Sequence, residues 1–455
     1  MNSADLAKAL KAELVSSQND SAPITQVSID SRKVSPGALF VALIGSAVDS
    51  HLFVEEAFRA GAVAAMVDRK HYNDPVFRLA ELTRRYYTVL IVVENTLQGL
   101  QNAAAWYLSR FPALIRIGIT GSSGKTTTKE IAAAMLAYEK SVIMNEGNLN
   151  SETGLPLSVF MVRDYHEVGI FEMGMNRHNE IDELAKILKP QIALITNIGT
   201  AHVGTIGSQK LIALEKKAIF SYFSGTETAL IPAYDEYRAL LAEGVKGQVV
   251  FYDSAFEAVK DKGIEGNELL YERMAVDFKL SGSHNVKNAA AACAIARAVP
   301  VSSAAIRHGL AHVQPLFGRT EIVRGPVTVI CDCYNANPQS MSAALEWCDN
   351  LAWIGKKIYV IGSMLELGAY SVAAHEHTGH LLSRCKADLL CFFGKETLPA
   401  LSIVEQDANI PCFYSESINE VSEILVKQVQ KGDLVLLKGS RGCALERVME
   451  VLRCY

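Results

Sequence analysis

The sequence predicts an α/β protein of three domains. These are a small αβ unit over 1–112, a central mostly parallel sheet of the phosphate-loop ATPase type over 113–316, and a C-terminal Rossmann-like doubly wound unit over 317–455. Short β-type runs alternate with helical patterns along most of the chain, which is how parallel strands joined by crossover helices read. A glycine loop falls between a strand and a helix at 120–128. The length of 455 residues suits about three domains at roughly 150 residues each.

The first 17 residues read as a helix, with Leu6, Leu10 and Leu14 at helical spacing. Strand-like runs follow at 39–43, 63–67 and 89–93, punctuated by Pro36-Gly37 and Gly61. Residues 97–110 form a helical pattern closed by Pro112. In the central part, 115–120, 168–172 and 192–197 read as strands, and the stretches through 132–138 and 181–188 as helices. The last part alternates strands at 327–332, 357–361, 387–393 and 433–437 with helices at 340–351, 372–386 and 418–430. No internal repeat or low-complexity tract is visible.

Composition excludes several classes. Hydrophobic residues make up 49% and charged residues 20%, as in ordinary globular chains. A net charge of -5 without any block of Lys and Arg argues against a nucleic-acid partner. No uninterrupted apolar stretch reaches the roughly 18 residues that span a bilayer. The richest, 289–296, is broken by Arg297 and Pro300. The N-terminus lacks the continuous apolar region of a signal peptide, so a cytoplasmic protein without integral membrane contact is expected. The nine cysteines form no framework, and Cys331 and Cys333 are the closest pair. They read as reduced, packed thiols rather than metal ligands or disulfides.

The strongest signal is Thr120-Gly121-Ser122-Ser123-Gly124-Lys125-Thr126-Thr127-Thr128. Glycines let backbone N–H groups turn inward toward phosphates. The N-terminus of the following helix adds partial positive charge. Lys125 can reach the outer phosphates, and the Thr126 hydroxyl can bind Mg²⁺. The ordinary pattern puts a glycine five positions before Gly124, where Ile119 stands, whereas Gly121 sits three before it. The loop is therefore compact, unlike that of common GTPases and motor ATPases. A plain Gly-Ser turn would not explain why strand, loop, Lys-Thr pair and helix all agree.

Glu172 ends one strand and His202 follows another. Ligands of open parallel sheets sit beyond the carboxyl ends of the strands, so both residues can face the loop and hold Mg²⁺ beside ATP. Taken singly, a strand-end glutamate is more often a solvated or capping group, and a lone histidine more often a satisfied one. Lys216 and Lys217 lie on a helical stretch and read as a solvated pair.

Further motifs follow in order: Asn148-Leu149-Asn150, Glu172-Met173-Gly174-Met175-Asn176, the run 197–202, Gly282-Ser283-His284-Asn285-Val286-Lys287-Asn288-Ala289, Phe317-Gly318-Arg319 and Asp332-Cys333-Tyr334-Asn335-Ala336-Asn337-Pro338. With the glycine loop, they make nearly the whole chain resemble the Mur ligase family, which builds the peptide of bacterial peptidoglycan. The run 334–338, the Met364-Leu365-Glu366-Leu367-Gly368 loop and the Lys438-Gly439-Ser440-Arg441 turn resemble the branch that joins D-alanyl-D-alanine to a UDP-N-acetylmuramoyl-tripeptide. Asp30-Ser31-Arg32-Lys33, Pro36-Gly37 and Phe40-Val41-Ala42-Leu43 are similar to the family's UDP-binding domain.

The resemblance implies roles that spacing does not. Residues 121–127 would cradle ATP, with Lys125 and Thr126 serving the phosphates and the metal. Glu172 and His202 would be ligands in a site for two Mg²⁺ ions. Lys216 matches the lysine that the family carbamylates, which would turn a cation into an anion able to hold or orient the second ion. Asn285, Asn288, Arg319 and Asp332 would meet the nucleotide. Ser31 and Arg32 would contact UDP, and Asn148, Asn150, Asn335, Asn337 and Arg441 the remaining substrate. A monomer is implied. Ser151, the Arg177-His178-Asn179 turn and Ser363 depart from the usual pattern, at the edges where substrate is held. The implied reaction proceeds through an acyl phosphate and requires the three parts to close together. Alternatives are another amide ligase of the superfamily, of the third-residue-adding or folylpolyglutamate synthase type, and further off a P-loop kinase or ATP-driven switch.

Overall fold

The computed structural model describes residues 1–16 and 20–453. Among them the N-terminal part forms a five-stranded sheet in the order Glu13–Ser16, Val89–Val93, Ala64–Asp68, Ala38–Val41, Gln26–Ser28. Only the first strand is antiparallel to its neighbour. Ala38–Val41 and Ala64–Asp68 are buried at every position, as expected of parallel strands covered on both faces.

The expected helix over the first 17 residues is shorter. It spans Ser3–Leu10 and ends where Lys11 takes a left-handed conformation, its N–H returning to the Ala7 and Lys8 carbonyls. Leu14 lies instead in the strand Glu13–Ser16, paired with Ile91. One turn of helical spacing is too short to outweigh an open sheet edge. Ser17 lies outside the described residues.

The central sheet has six parallel strands, in the order Gln248–Tyr252, Thr228–Pro232, Ile192–Ile195, Ile115–Thr120, Val168–Glu172, Val142–Met144. Helix Lys125–Leu136 packs against Ser283–Ala298 and Ser303–His312. Small side chains bring these helices close: a Cβ on Gly309 would lie 2.4 Å from the Met135 backbone. A three-stranded antiparallel sheet, Ala258–Asp261, Asn267–Tyr271, Met274–Phe278, was not foreseen. Its tighter hairpin turns through Glu272 and Arg273, both at positive φ, where an Asn-Gly pair would have been the recognisable signal.

The C-terminal sheet runs Glu321–Val323, Thr328–Asp332, Leu434–Lys438, Lys357–Gly362, Leu389–Phe393, Cys412–Ser415, antiparallel only at its first strand. Its two faces carry separate apolar clusters, as a doubly wound sheet requires. The helix expected over 372–386 spans Ser371–Leu382. Helix Pro338–Asn350 starts on a capping box between Asn337 and Ser340, with Pro338 in its first turn. The N-terminal and central parts share one core, which runs unbroken from Leu6, Leu100 and Leu108 to Leu155, Phe171 and Leu184.

Candidate active site

The carboxyl ends of the central and C-terminal sheets face one another across a cavity of about 610 Å³. On the central side, the strand Ile115–Thr120 delivers the glycine loop. Both glycines are demanded by their surroundings. A Cβ at Gly121 would fall 1.8 Å from Thr196 Oγ1, and one at Gly124, where φ is +77°, would fall 2.2 Å from Asn288 Oδ1. The loop is anchored to the next strand end: Ser123 N–H donates to Asn197 Oδ1 at 3.1 Å, and Gly199 N–H to Ser122 Oγ at 2.8 Å. Lys125 Nζ curls back onto the Gly121 carbonyl at 2.9 Å. Desolvation in the cavity pushes the Lys125 pKa down; Glu172 opposes that shift and Arg319 adds to it.

Glu172, at the end of Val168–Glu172, is 3% exposed. Its carboxylate accepts from Thr126 Oγ1 at 2.6 Å and from Asn150 Nδ2 at 2.7 Å. Thr126 Oγ1 in turn accepts from the Arg319 guanidinium at 2.9 Å. Lys216, on helix Gln209–Lys217, is 1% exposed and lines the same cavity. The reading of Lys216 as half of a solvated pair is thus corrected, because the helix turns it inward while Lys217 stays partly exposed. Burial holds the Lys216 amine well below its ordinary pKa, and the charge of Lys125 adds to that. His202 sits at a left-handed turn, φ +64°, with Nδ1 3.6 Å from the Glu366 carboxylate. Burial first, then Lys125 and Lys216, push its pKa down to about 4, which leaves a neutral imidazole with a free lone pair.

The opposite wall comes from the C-terminal sheet. Arg319 stacks on Tyr334, 4.2 Å from the ring centre. Asp332 accepts from Thr320 N–H at 3.1 Å and pairs with the buried Lys438 at 2.9 Å. Back on the central side, in helix Ser283–Ala298, Asn288 donates to Asn285 Oδ1 at 3.1 Å. Asn148, Asn335 and Arg441 line the cavity rim, and Arg441 is paired with Glu446 at 2.6 Å. Asn337 also lines the cavity, but its side chain is engaged as a helix cap.

Ser31 and Arg32 are not brought to this cavity. They lie on a 3₁₀ turn of the N-terminal part, where Arg32 pairs with Asp30 and Ser31 Oγ donates to Glu56 at 3.3 Å. The departures have local accounts. Ser151 Oγ accepts from Gly154 N–H at 3.3 Å. Asn179 takes the left-handed conformation that precedes helix Glu180–Leu188. Ser363 Oγ donates to Glu396 at 2.7 Å, so an acid from the neighbouring strand's loop stands beside that position. Sequence reasoning missed Lys438 as an orienting group, and also Glu366 and Asn145. Nothing in a single sequence marks a lysine or asparagine as buried.

A second cluster, Asp49, His51 and His71, brings its ligand atoms within 4.8 Å of one another. Its imidazoles stack 3.9 Å apart at 7°, so their in-plane lone pairs run parallel and cannot converge on one ion. Every ring nitrogen also faces a carboxylate or the Asp68 N–H. The cluster is a hydrogen-bonded pin of the N-terminal part.

A compact phosphate loop on one sheet, closed by an Arg–Asp wall from a second, belongs to nucleotide-dependent ligases. The chain belongs to the Mur ligase family. Profiles described as "Mur ligase family, catalytic domain", "Mur ligase middle domain" and "Mur ligase, glutamate ligase domain" match residues 23–107, 119–296 and 318–441. The UDP-N-acetylmuramoyl-tripeptide–D-alanyl-D-alanine ligase of Treponema pallidum (strain Nichols) is 44% identical over 432 residues, 94% of this chain and 93% of that protein. A crystal structure of MurF from Acinetobacter baumannii superimposes with a TM-score of 0.88 at 28% identity, covering 100% of this chain and 99% of that one. MurF ligase from Thermotoga maritima, solved with ADP, gives 0.79 at 29% identity, covering 94% and 97%.

Proposed function

We propose that this chain joins D-alanyl-D-alanine to a UDP-N-acetylmuramoyl-tripeptide, converting ATP to ADP and phosphate, in the synthesis of peptidoglycan precursor. The observation that carries the reading is the convergence on Thr126. Its hydroxyl meets Glu172 from the central sheet and Arg319 from the C-terminal sheet, at the mouth of the phosphate loop. The names of the relatives support the same substrates.

The donor set fits Mg²⁺. Thr126 and Glu172 offer hard oxygens, and His202 is held neutral. Thr126, Glu172 and His202 would hold the ions, together with Lys216 if it is carbamylated. Bound Mg²⁺ would neutralise phosphate oxygens as a Lewis acid. The chain's own groups address the central difficulty, the approach of two anions. The backbone N–H groups of 121–127, Lys125 and Arg319 offset the charge of the triphosphate and hold it in line with the tripeptide carboxylate. A carboxylate oxygen bonds to the γ-phosphorus as the bond to ADP breaks. The dipeptide amine then bonds to the acyl carbon, losing a proton, as phosphate leaves. No side-chain nucleophile is needed.

Three domains with boundaries at 112/113 and 316/317 serve this scheme. The 31–33 turn takes the UDP, the central part ATP, and the Asn335–Arg441 rim the dipeptide. The enzyme works as a monomer in the cytoplasm, where UDP-linked precursors and ATP are found; among the described residues no helix is long and apolar enough to cross a membrane. The test is amide formation with UDP-muramoyl tripeptides that differ in the third residue, each with and without the dipeptide. Amide should form only when both substrates are present, and ADP release should be weak when either is missing. ADP formed equally fast without the dipeptide, with no amide made, would defeat the proposal.

A further inference from the structure

Glu172 stands at the end of its strand, beside an edge strand that stops too soon. Val142–Met144 pairs with Val168, Gly169 and Ile170 and goes no further. Glu172 is held on its inner side by Ile119. On its outer side, its N–H and C=O would be buried without partners, which is costly.

The side chain of Asn145 fills that place. Its Oδ1 accepts from Glu172 N–H at 2.9 Å, and its Nδ2 donates to the Glu172 carbonyl at 3.0 Å. The amide thus acts as one more residue of the ladder. The same Nδ2 donates to the Leu149 carbonyl at 2.9 Å, fixing the loop from which Asn150 reaches the Glu172 carboxylate. The backbone carbonyl of Asn145 accepts from the buried Lys129 Nζ, which comes from the helix following the phosphate loop. Asn145 is 1% exposed and does not line the cavity.

We infer that Asn145 is a positioning residue: it sets the place of the Glu172 carboxylate and so the affinity of the site for a divalent cation. The inference rests on the reading of Glu172 as a metal ligand. Side chains that orient a ligand from behind typically change metal affinity by about 10- to 100-fold.

The experiment is a Mn²⁺ titration followed by electron paramagnetic resonance, on the full chain with saturating ADP. It compares wild type, Asn145→Ala and the isosteric Asn145→Asp, which keeps the acceptor and loses both donors. Metal-free ADP binding is measured alongside. Both variants should bind Mn²⁺ about 10- to 100-fold more weakly, with metal-free ADP affinity unchanged, because the phosphate loop does not depend on Asn145. Wild-type Mn²⁺ affinity in both variants, or a parallel loss of metal-free ADP affinity, would overturn the inference. If wild type itself takes up no Mn²⁺ beyond that held by ADP, the metal-ligand reading of Glu172 fails first and this inference with it.

Discussion

Arg319→Lys tests whether the two sheets meet to act on the γ-phosphate. The guanidinium donates to Thr126 Oγ1 at 2.9 Å while lying 4.2 Å from the centre of the Tyr334 ring. Lysine keeps the charge but loses the planar fork and the stacked geometry. A hydrogen bond from a charged donor contributes about 2 kcal/mol, and a desolvated cation–π contact about 1 kcal/mol. Only the bond to Thr126 crosses to the central part, so it alone forms when the C-terminal sheet closes over the loop; the Tyr334 stack lies within the C-terminal part and orients the guanidinium for it. Losing about 2 kcal/mol there lowers kcat by about 30-fold. ADP should still bind, because the loop's own contacts to Asn197 and Gly199 are untouched. The assay is coupled ADP release with all three substrates, with KM for each and a separate ADP affinity. A kcat within about threefold of wild type, or a loss confined to ADP affinity, would refute the reasoning.

Three further outcomes are expected. Gly204→Val should hinder closure, because a Cβ there would lie 2.7 Å from the Leu367 and Gly368 backbone, next to the Tyr370–Gly207 hydrogen bond; small-angle scattering should show a more open mean shape, and kcat/KM should fall about 10-fold, as overpacking of about 1–3 kcal/mol implies. Burial and then Lys125 hold the Lys216 amine well below its usual pKa, which favours the neutral form that takes up CO₂. With ¹³C-labelled bicarbonate, NMR should show a carbamate signal that vanishes in Lys216→Arg, and its absence in wild type would remove carbamylation from the scheme. Burial holds the pKa of His51 below the 6.5 of a free imidazole, so the unfolded chain takes up this proton first as pH falls. The stability His51 contributes is present above about pH 6.5 and is lost on acidification, by up to about 1.4 kcal/mol per pH unit. Between pH 7 and 5 the melting temperature of wild type should therefore fall more than that of His51→Gln. Asp49 and Asp68 do not interfere: burial alone would raise them, but hydrogen bonds from His51 and His71 pull them below the usual carboxylate range, so their loss comes at lower pH.

Much of the candidate site was legible because its signals are local. Strand, compact loop, Lys-Thr pair and helix occupy one short segment, and the strand ends that carry Glu172 and His202 could be read from apolar runs. The misreadings concern burial. Lys216 and Lys217 are chemically alike and adjacent, and only helix packing decides which of them turns inward. Leu14 fits a helix by spacing and a strand by partner. The hairpin at Glu272-Arg273 reverses through residues that seldom take positive φ. The assignment of Ser31 and Arg32 to UDP is not among these: it was made by motif, and both residues lie on the N-terminal part, where that role stands as a proposal.

The amino-acid order alone determined the alternation of strands and helices, the compact loop and the donor types at its edges, because these depend on contacts within a few residues. The tertiary structure decided everything that needs two distant segments at once. Arg319 reaches Thr126 across 193 positions of sequence, Lys438 neutralises Asp332, and the Asn145 amide stands in for a missing strand beside Glu172. Each of these depends on which groups folding removes from water together, and a burial of that kind leaves no periodicity for a single sequence to display.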